Sequence, residues 1–209
     1  MDFERRVIVV DDFYPDPHYV RESALNAEYE SKSNGNYPGC NSAQKFWDPS
    51  ITQRLCKITG ENIQPAPNSF CGQFRFTKKE DTSTQVIHFD PSPDQVWAGV
   101  IYLSLPEHYS GLHAGTTMYS HKASGTSVAP KDHIEAQSIG VNTVEDMKVF
   151  FETQGIDKSL WTPELSVNIK FNRLVLFRPW MWHAMDEHFG TDITNSRLTH
   201  LIFLSLNKD

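Results

Sequence analysis

The sequence lacks the features that mark secreted, membrane-spanning and nucleic-acid-binding proteins. Its three cysteines, Cys40, Cys56 and Cys71, are odd in number and scattered, without the close pairing of a disulfide framework or a zinc ribbon, so we expect buried free thiols in a reducing cytoplasm. No apolar run approaches the roughly 18 residues that a membrane helix needs, and the run from Val7 to Val10 is too short for a signal peptide. A formal charge of −7 without a Lys/Arg cluster argues against nucleic-acid binding. We therefore expect a cytoplasmic protein with neither membrane nor nucleic-acid partners.

The composition is that of an ordinary globular domain. Apolar residues make up 39% and charged residues 22% of the 209 residues, so the chain can bury a core without disulfides or a structural metal. Domains rich in β-structure commonly reach this length, and no repeat or linker divides the chain. We predict one domain over residues 1–209, with an N-terminal strand and supporting helices in 1–70 and a β-rich core in 71–206.

The first 70 residues predict one strand and two helices. Residues 6–13 carry the apolar run of the strand. Asp16 followed by Pro17 is the pattern of an N-cap and a first helical residue, and apolar residues then recur at helical spacing. Pro49 begins a second, shorter helix that ends before Gly60.

From residue 71 onward, short apolar or alternating segments bounded by turn residues predict strands. These segments are 72–77, 85–89, 96–103, 115–119, 173–177, 182–186 and 197–206. Residues 122–141 are polar and predict a loop, and 144–154 predict a helix capped by Thr143. We interpret residues 120–172 as an insertion between core strands and, because long loops are commonly functional, as a candidate lid. Helices followed by about eight short strands indicate an antiparallel jelly roll or barrel with helices outside.

His88 and Asp90 form a candidate metal-binding pair at the end of a predicted strand. Side chains two residues apart on a strand point to the same face, so both could bind one ion. The pair alone is weak evidence, because such a spacing arises by chance in a chain of this composition. His183, on a later buried strand, supplies a second imidazole. Two histidines and one carboxylate form the facial triad of non-haem Fe(II) oxygenases, and the missing cysteine ligand argues against structural zinc.

Arg197 and Thr199 begin the last predicted strand and share one face of it. A guanidinium grips a carboxylate through two parallel hydrogen bonds, and a hydroxyl two residues further on can add another. This pair could hold the far carboxylate of a dicarboxylic co-substrate whose other end chelates the iron.

Together, these residues resemble the 2-oxoglutarate/Fe(II)-dependent dioxygenase superfamily. Residues 100–104, 115–119 and 174–177 resemble corresponding phrases of its prolyl-hydroxylase-like branch, and the resemblance extends over about 71–206. It implies a mainly β fold with flanking helices, the double-stranded β-helix or distorted jelly roll. It also implies that Fe(II), 2-oxoglutarate and O₂ are used to couple the formation of succinate and CO₂ to oxidation of a C–H bond.

The resemblance assigns roles to two further positions. In the prolyl-hydroxylase-like branch the tyrosine that matches Tyr102 often helps bind 2-oxoglutarate. Asp90 favours a hydroxylase, because related halogenases have a small residue in place of the carboxylate. The substrate, a small molecule or a peptide, and the oligomeric state stay open.

Two other functional classes are compatible with the pattern. A cupin-like metal enzyme would keep the metal ligands and have no use for Arg197. A non-catalytic binding module would keep the barrel without the chemistry, and the complete triad argues against it.

Several other polar and aromatic residues are secondary candidates. Arg75 and Arg178 could reach the cleft, and Trp180 and Trp182 are expected to pack in the core or at its rim. We expect the remaining histidines of the middle region to face solvent or substrate rather than form a second metal site. These are His108, His113, His121 and His133.

Overall fold

The computed structural model describes residues 6–30, 38–81, 86–90 and 94–207 of the chain. The strands in these ranges are β1 Val7–Val10, β2 Cys40–Lys45, β3 Ile63–Pro65, β4 Gln73–Thr77, β5 Gln95–Tyr102, β6 Gly115–His121, β7 Trp161–Asn168, β8 Leu174–Phe177, β9 His183–Met185 and β10 Arg197–Leu206. The helices are α1 Pro17–Leu25, α2 Pro49–Thr59, α3 Pro106–Tyr109, α4 His133–Ser138 and α5 Val144–Thr153, with a 3₁₀ turn at Lys158–Leu160.

The strands form two antiparallel sheets that face one another. The large sheet has the order β1-β8-β5-β10-β4-β2, with β3 paired to the far end of β10. The small sheet has the order β7-β6-β9, and a single bridge between His88 and His183 adds the segment around residue 88 to its edge. This arrangement confirms the predicted double-stranded β-helix.

The helix boundaries follow the predicted capping chemistry. The side chain of Asp16 accepts a hydrogen bond from the backbone of Tyr19 at 3.0 Å, and Pro17 occupies the first helical position of α1. Gly60 ends α2 with φ of 73°, a conformation that glycine adopts without strain. Thr143 and Asp146 form a reciprocal capping box at the start of α5.

Alternation along β10 divides its side chains between two apolar layers. Leu198, Ile202 and Leu204 pack with α1 and α2 on the outer face of the large sheet. The opposite face of this sheet meets the small sheet, and there Tyr102 and Phe177 are buried. A third cluster, centred on tryptophans, covers the outer face of the small sheet and packs against α5.

The structure differs from the sequence prediction in the middle of the chain. The segment predicted as a loop, 122–141, contains α4, whose first turn is capped by Asp132. The predicted insertion, 120–172, includes β7, which pairs along the length of β6. Within the predicted strand at 85–89, His88 makes an isolated bridge to His183 and the amide of Ile87 donates to the carbonyl of Gly155 at 2.8 Å, but residues 86–89 are not part of a strand. Residue 85 lies outside the described residues.

The structure shows the state of the three cysteines and the length of the described helices. Cys40, Cys56 and Cys71 are all free thiols; Cys71 is buried, and the other two are half-buried rather than buried as expected. Among the described residues, no helix has the length and apolar character required to cross a membrane.

His200 is a buried, neutral histidine on the helix-covered face of β10. It is 0% exposed, and its Nδ1 is hydrogen-bonded to the Tyr14 hydroxyl at 2.5 Å. Burial lowers the pKa of His200 to about 4. An unfolded chain would bind a proton here near pH 6.5, whereas the folded chain would not.

We therefore expect His200 to weaken folding as the pH falls from 6.5 to 4, with a slope that approaches about 1.4 kcal/mol per pH unit. Urea unfolding of His200→Asn, whose amide keeps a hydrogen-bonding partner for the Tyr14 hydroxyl, should show a smaller pH slope over this window. The control His133→Gln, at an exposed position, should keep the wild-type slope. Identical slopes for His200→Asn and wild type would contradict the assignment.

Candidate metal centre

Backbone hydrogen bonds bring the three predicted metal ligands together. The amide of His88 donates to the carbonyl of His183 at 3.0 Å, and the amide of His183 donates to the carbonyl of His88 at 2.8 Å. The amide of Asp90 donates to the carbonyl of Pro179 at 2.8 Å. Residues far apart in sequence are thus placed side by side at the edge of the small sheet.

The side chains of His88, Asp90 and His183 converge. Each offers one ligand atom, and these atoms all lie within 4.8 Å of one another, the only such cluster of three or more ligating residues among the described residues. Nε2 of His183 lies 3.7 Å from Oδ2 of Asp90, and the two imidazole rings are 4.3 Å apart. The spacing suits a single ion held between them.

Each imidazole is oriented by a backbone carbonyl. Nδ1 of His88 lies 2.7 Å from the carbonyl of Val86, and Nδ1 of His183 lies 2.9 Å from that of Met181. Since a carbonyl only accepts, both Nδ1 atoms carry the proton and both Nε2 atoms have a lone pair for a metal. Burial lowers the pKa of both histidines to about 4, so they are neutral, as metal ligation requires.

The three ligands line a cavity of about 100 Å³ between the sheets. Its wall also holds two arginines and a hydroxyl, Arg75, Arg197 and Thr116. The rest of the wall is apolar or thioether-bearing and consists of Phe70, Gly99, Val100, Phe177, Met185, Leu201 and Phe203.

Arg197 is a buried cation facing this cavity. It is 3% exposed, and its guanidinium carbon lies 5.4 Å from the centre of the Tyr102 ring. Nη2 makes a long contact of 3.4 Å with the carbonyl of Gly115, and Nε is buried without a hydrogen-bond partner among the described residues. A buried guanidinium with unused donors fits an anionic ligand in the cavity.

Tyr102 and Thr199 do not reach the cavity wall directly. The Tyr102 hydroxyl is hydrogen-bonded to the Thr116 hydroxyl at 2.8 Å, and Thr116 is the residue that lines the cavity. The Thr199 hydroxyl donates to the carbonyl of Arg75 at 3.2 Å. Sequence reasoning did not single out Thr116; its position directly after Gly115, on the inward face of β6, was the available signal.

The secondary candidates separate into two groups. Arg75 lines the cavity, and its Nε and Nη2 both donate to the carbonyl of Pro38, at 3.1 and 2.9 Å. Arg178 does not line the cavity; it is ion-paired with Glu61 at 2.7 Å. Trp182 is 1% exposed in the cluster behind the small sheet, which agrees with a packing role.

One prediction about the middle region needs correction, and another stays a prediction. His121 faces neither solvent nor cavity: it is 3% exposed and hydrogen-bonded to Ser124 and Gln154. The lid assigned to residues 120–172 stays a prediction, and none of these residues lines the described cavity wall. Phe151 of α5 packs against Phe89, with 5.5 Å between the ring centres. Phe89 stands between His88 and Asp90 in the sequence, and its side chain points away from theirs.

Comparison with known proteins places the chain in a family. A family model described as a family of unknown function, DUF6445, matches residues 2–204. The chain belongs to the DUF6445 family. No curated protein matches the sequence.

SnoN shares the fold of this DUF6445 protein, and two further solved structures are similar to it at lower scores. The non-heme alpha ketoglutarate dependent epimerase SnoN, from nogalamycin biosynthesis, is 9% identical, with 98% of this chain and 79% of SnoN covered at a TM-score of 0.53. EctD from S. alaskensis is 14% identical over 96% and 73% of the two chains, with a TM-score of 0.47. HygX from Streptomyces hygroscopicus, with nickel and 2-oxoglutarate bound, is 8% identical over 97% and 83%, with a TM-score of 0.48.

We expect the apoprotein to bind one Co(II) or Fe(II) through these ligands. His88→Gln should weaken Co(II) binding by at least about a hundredfold, because the substitution removes one of the three metal ligands. Isothermal titration under anaerobic conditions measures the affinity. His133→Gln is the matched control, since His133 is exposed on α4, and it should bind as wild type does. Equal loss in both variants would contradict the site.

Proposed function

We propose that this DUF6445 protein is an Fe(II)- and 2-oxoglutarate-dependent oxygenase that acts as a hydroxylase. The observation that carries the proposal is the convergence of His88, Asp90 and His183 in a cavity that also contains the buried guanidinium of Arg197. The likeness to SnoN supports it through the fold. We further propose a cytoplasmic location and a small-molecule or peptide substrate.

The ligand set suits Fe(II). Two neutral imidazoles and one carboxylate combine borderline and hard donors, and they leave coordination positions open for a co-substrate and oxygen. Bound iron would supply the coupling of 2-oxoglutarate decarboxylation to oxidation of a substrate C–H bond. Asp90 provides the third protein ligand, which favours hydroxylation over halogenation.

Arg197 would hold the far carboxylate of 2-oxoglutarate. The guanidinium lies inside the same cavity as the metal ligands, and its Nε has no described hydrogen-bond partner. Thr116 also faces the cavity, with its hydroxyl oriented by Tyr102. We propose that Tyr102 acts on the co-substrate through Thr116, and that Thr199 fixes the backbone of Arg75 on the adjacent strand.

The apolar part of the wall would exclude water from the reacting centre. Phe177 packs 4.3 Å from the His183 ring, and Leu201 and Phe203 continue the cavity wall along β10. Phe70 is 54% exposed and also lines the cavity, so it marks the side open to solvent. We propose that the substrate enters beside Phe70.

Arg197→Gln should weaken 2-oxoglutarate binding by about 10- to 100-fold, because a charge-assisted hydrogen bond is worth about 1.5–3 kcal/mol. The affinity can be read from the weak visible charge-transfer band that forms when 2-oxoglutarate is added to the anaerobic Fe(II) protein. Arg173→Gln is the matched control, because Arg173 is ion-paired with Asp11 away from the cavity.

Three outcomes separate the functional classes. A band together with succinate release from 2-oxoglutarate supports the proposal. Iron binding with neither band nor succinate contradicts it and indicates a metal enzyme of the cupin kind or a binding module. A band whose affinity is unchanged in Arg197→Gln would show that the anchor has been assigned to the wrong residue.

A further inference from the structure

We propose that the ion pair between Arg178 and Glu61 positions two metal ligands, Asp90 and His183, through the turn that joins β8 to β9. Arg178 and Glu61 do not line the cavity, so any effect on the metal must pass through other residues. The inference rests on the proposed function insofar as it assumes that these ligands bind a metal.

The turn presents two carbonyls to the two ligands. It begins at Arg178, whose carbonyl accepts a hydrogen bond from the amide of Met181 at 2.9 Å. The carbonyl of Pro179 accepts from the amide of Asp90 at 2.8 Å, and the carbonyl of Met181 accepts from Nδ1 of His183 at 2.9 Å. A shift of this turn would therefore move one ligand's backbone and rotate the other ligand's ring.

Arg178 fixes the start of the turn from the opposite side. It is 1% exposed, with Nη2 2.7 Å from Glu61 and Nη1 donating to the carbonyl of Val96 at 2.9 Å. Its guanidinium lies 3.7 Å from the centre of the Trp97 ring, and the Trp97 indole N–H donates to Glu61 at 2.9 Å. Both carboxylate oxygens of Glu61 are thus engaged, and the residue directly follows the helix cap Gly60.

These contacts connect the end of α2 and the start of β5 to the metal ligands. A planar guanidinium that is stacked on a ring and bonded to a carboxylate has little freedom to move. Groups that orient metal ligands typically change metal affinity by 10- to 100-fold when they are altered. We therefore expect that loss of the ion pair between Arg178 and Glu61 weakens metal binding.

The test compares two identical chemical changes at the two ends of β8. Arg178 directly follows β8, and Glu61→Gln neutralises its ion-pair partner. Arg173 directly precedes β8, and Asp11→Asn neutralises its partner, which lies 2.6 Å from it. The full-length apoproteins are titrated with Co(II), using its visible ligand-field absorption, and their thermal midpoints are measured without metal. Glu61→Gln should bind Co(II) at least about tenfold more weakly than wild type, and Asp11→Asn within about twofold of it.

Arg178→Lys provides a second reading. Lysine keeps the charge but cannot stack on Trp97 while bonding both Glu61 and the carbonyl of Val96. It should weaken Co(II) binding to a similar degree and alter the ligand-field spectrum, which a loss of stability alone would not do.

Other results would overturn the inference. Equal Co(II) affinity in wild type and Glu61→Gln excludes the positioning role while leaving the metal site intact. Equal weakening in Glu61→Gln and Asp11→Asn shows general loosening of the fold rather than positioning. A wild-type protein that binds no Co(II) overturns the proposed metal site, and the positioning role with it.

Discussion

The candidate site depends on one antiparallel backbone bridge, between His88 and His183. Two hydrogen bonds of 2.8 and 3.0 Å join segments about 95 residues apart in sequence, and they bring two imidazoles to the same side of the sheet edge. Asp90 is then placed by a third backbone bond, to Pro179. Because all three contacts use the main chain, they fix the backbone positions of the ligands, and the carbonyls of Val86 and Met181 then orient the two imidazoles.

The second constraint is the burial of a cation in the same cavity. Taking a guanidinium out of water is unfavourable unless it is paired or hydrogen-bonded. Arg197 makes a long bond to Gly115, contacts Tyr102 and is attracted by the buried carboxylate of Asp186, but its Nε has no hydrogen-bond partner among the described residues. By contrast, Arg178 is equally buried yet bonded to Glu61 and stacked on Trp97. Arg197 therefore has a donor available for a bound anion, whereas the donors of Arg178 are used in contacts within the protein.

Much of this architecture could be predicted from local sequence signals. The starts of α1 and α5 are encoded by local capping hydrogen bonds, which involve Asp16 in α1 and the pair Thr143 and Asp146 in α5. Such signals lie within a few residues of each other and can be read without the tertiary structure. β7 was missed because it contains Pro163 and its residues are mostly exposed, so it shows neither apolar run nor alternation. The two histidines, Asp90 and Arg197 of the candidate site could be singled out from the sequence because the required chemistry restricts residue type. Thr116 could not, because threonine is equally suited to an ordinary strand position.

The region predicted as a lid supports the site from behind. Phe89 lies between two ligands in sequence, and its ring packs 5.5 Å from Phe151 and 5.2 Å from Trp182. Trp182 immediately precedes the third ligand and packs 5.7 Å from Phe150 of the same helix. Since a strand side chain on one face fixes its neighbours on the other, α5 restrains the ligands through the residues that alternate with them. No residue of 120–172 lines the described cavity wall, so α5 acts on the site from behind the small sheet.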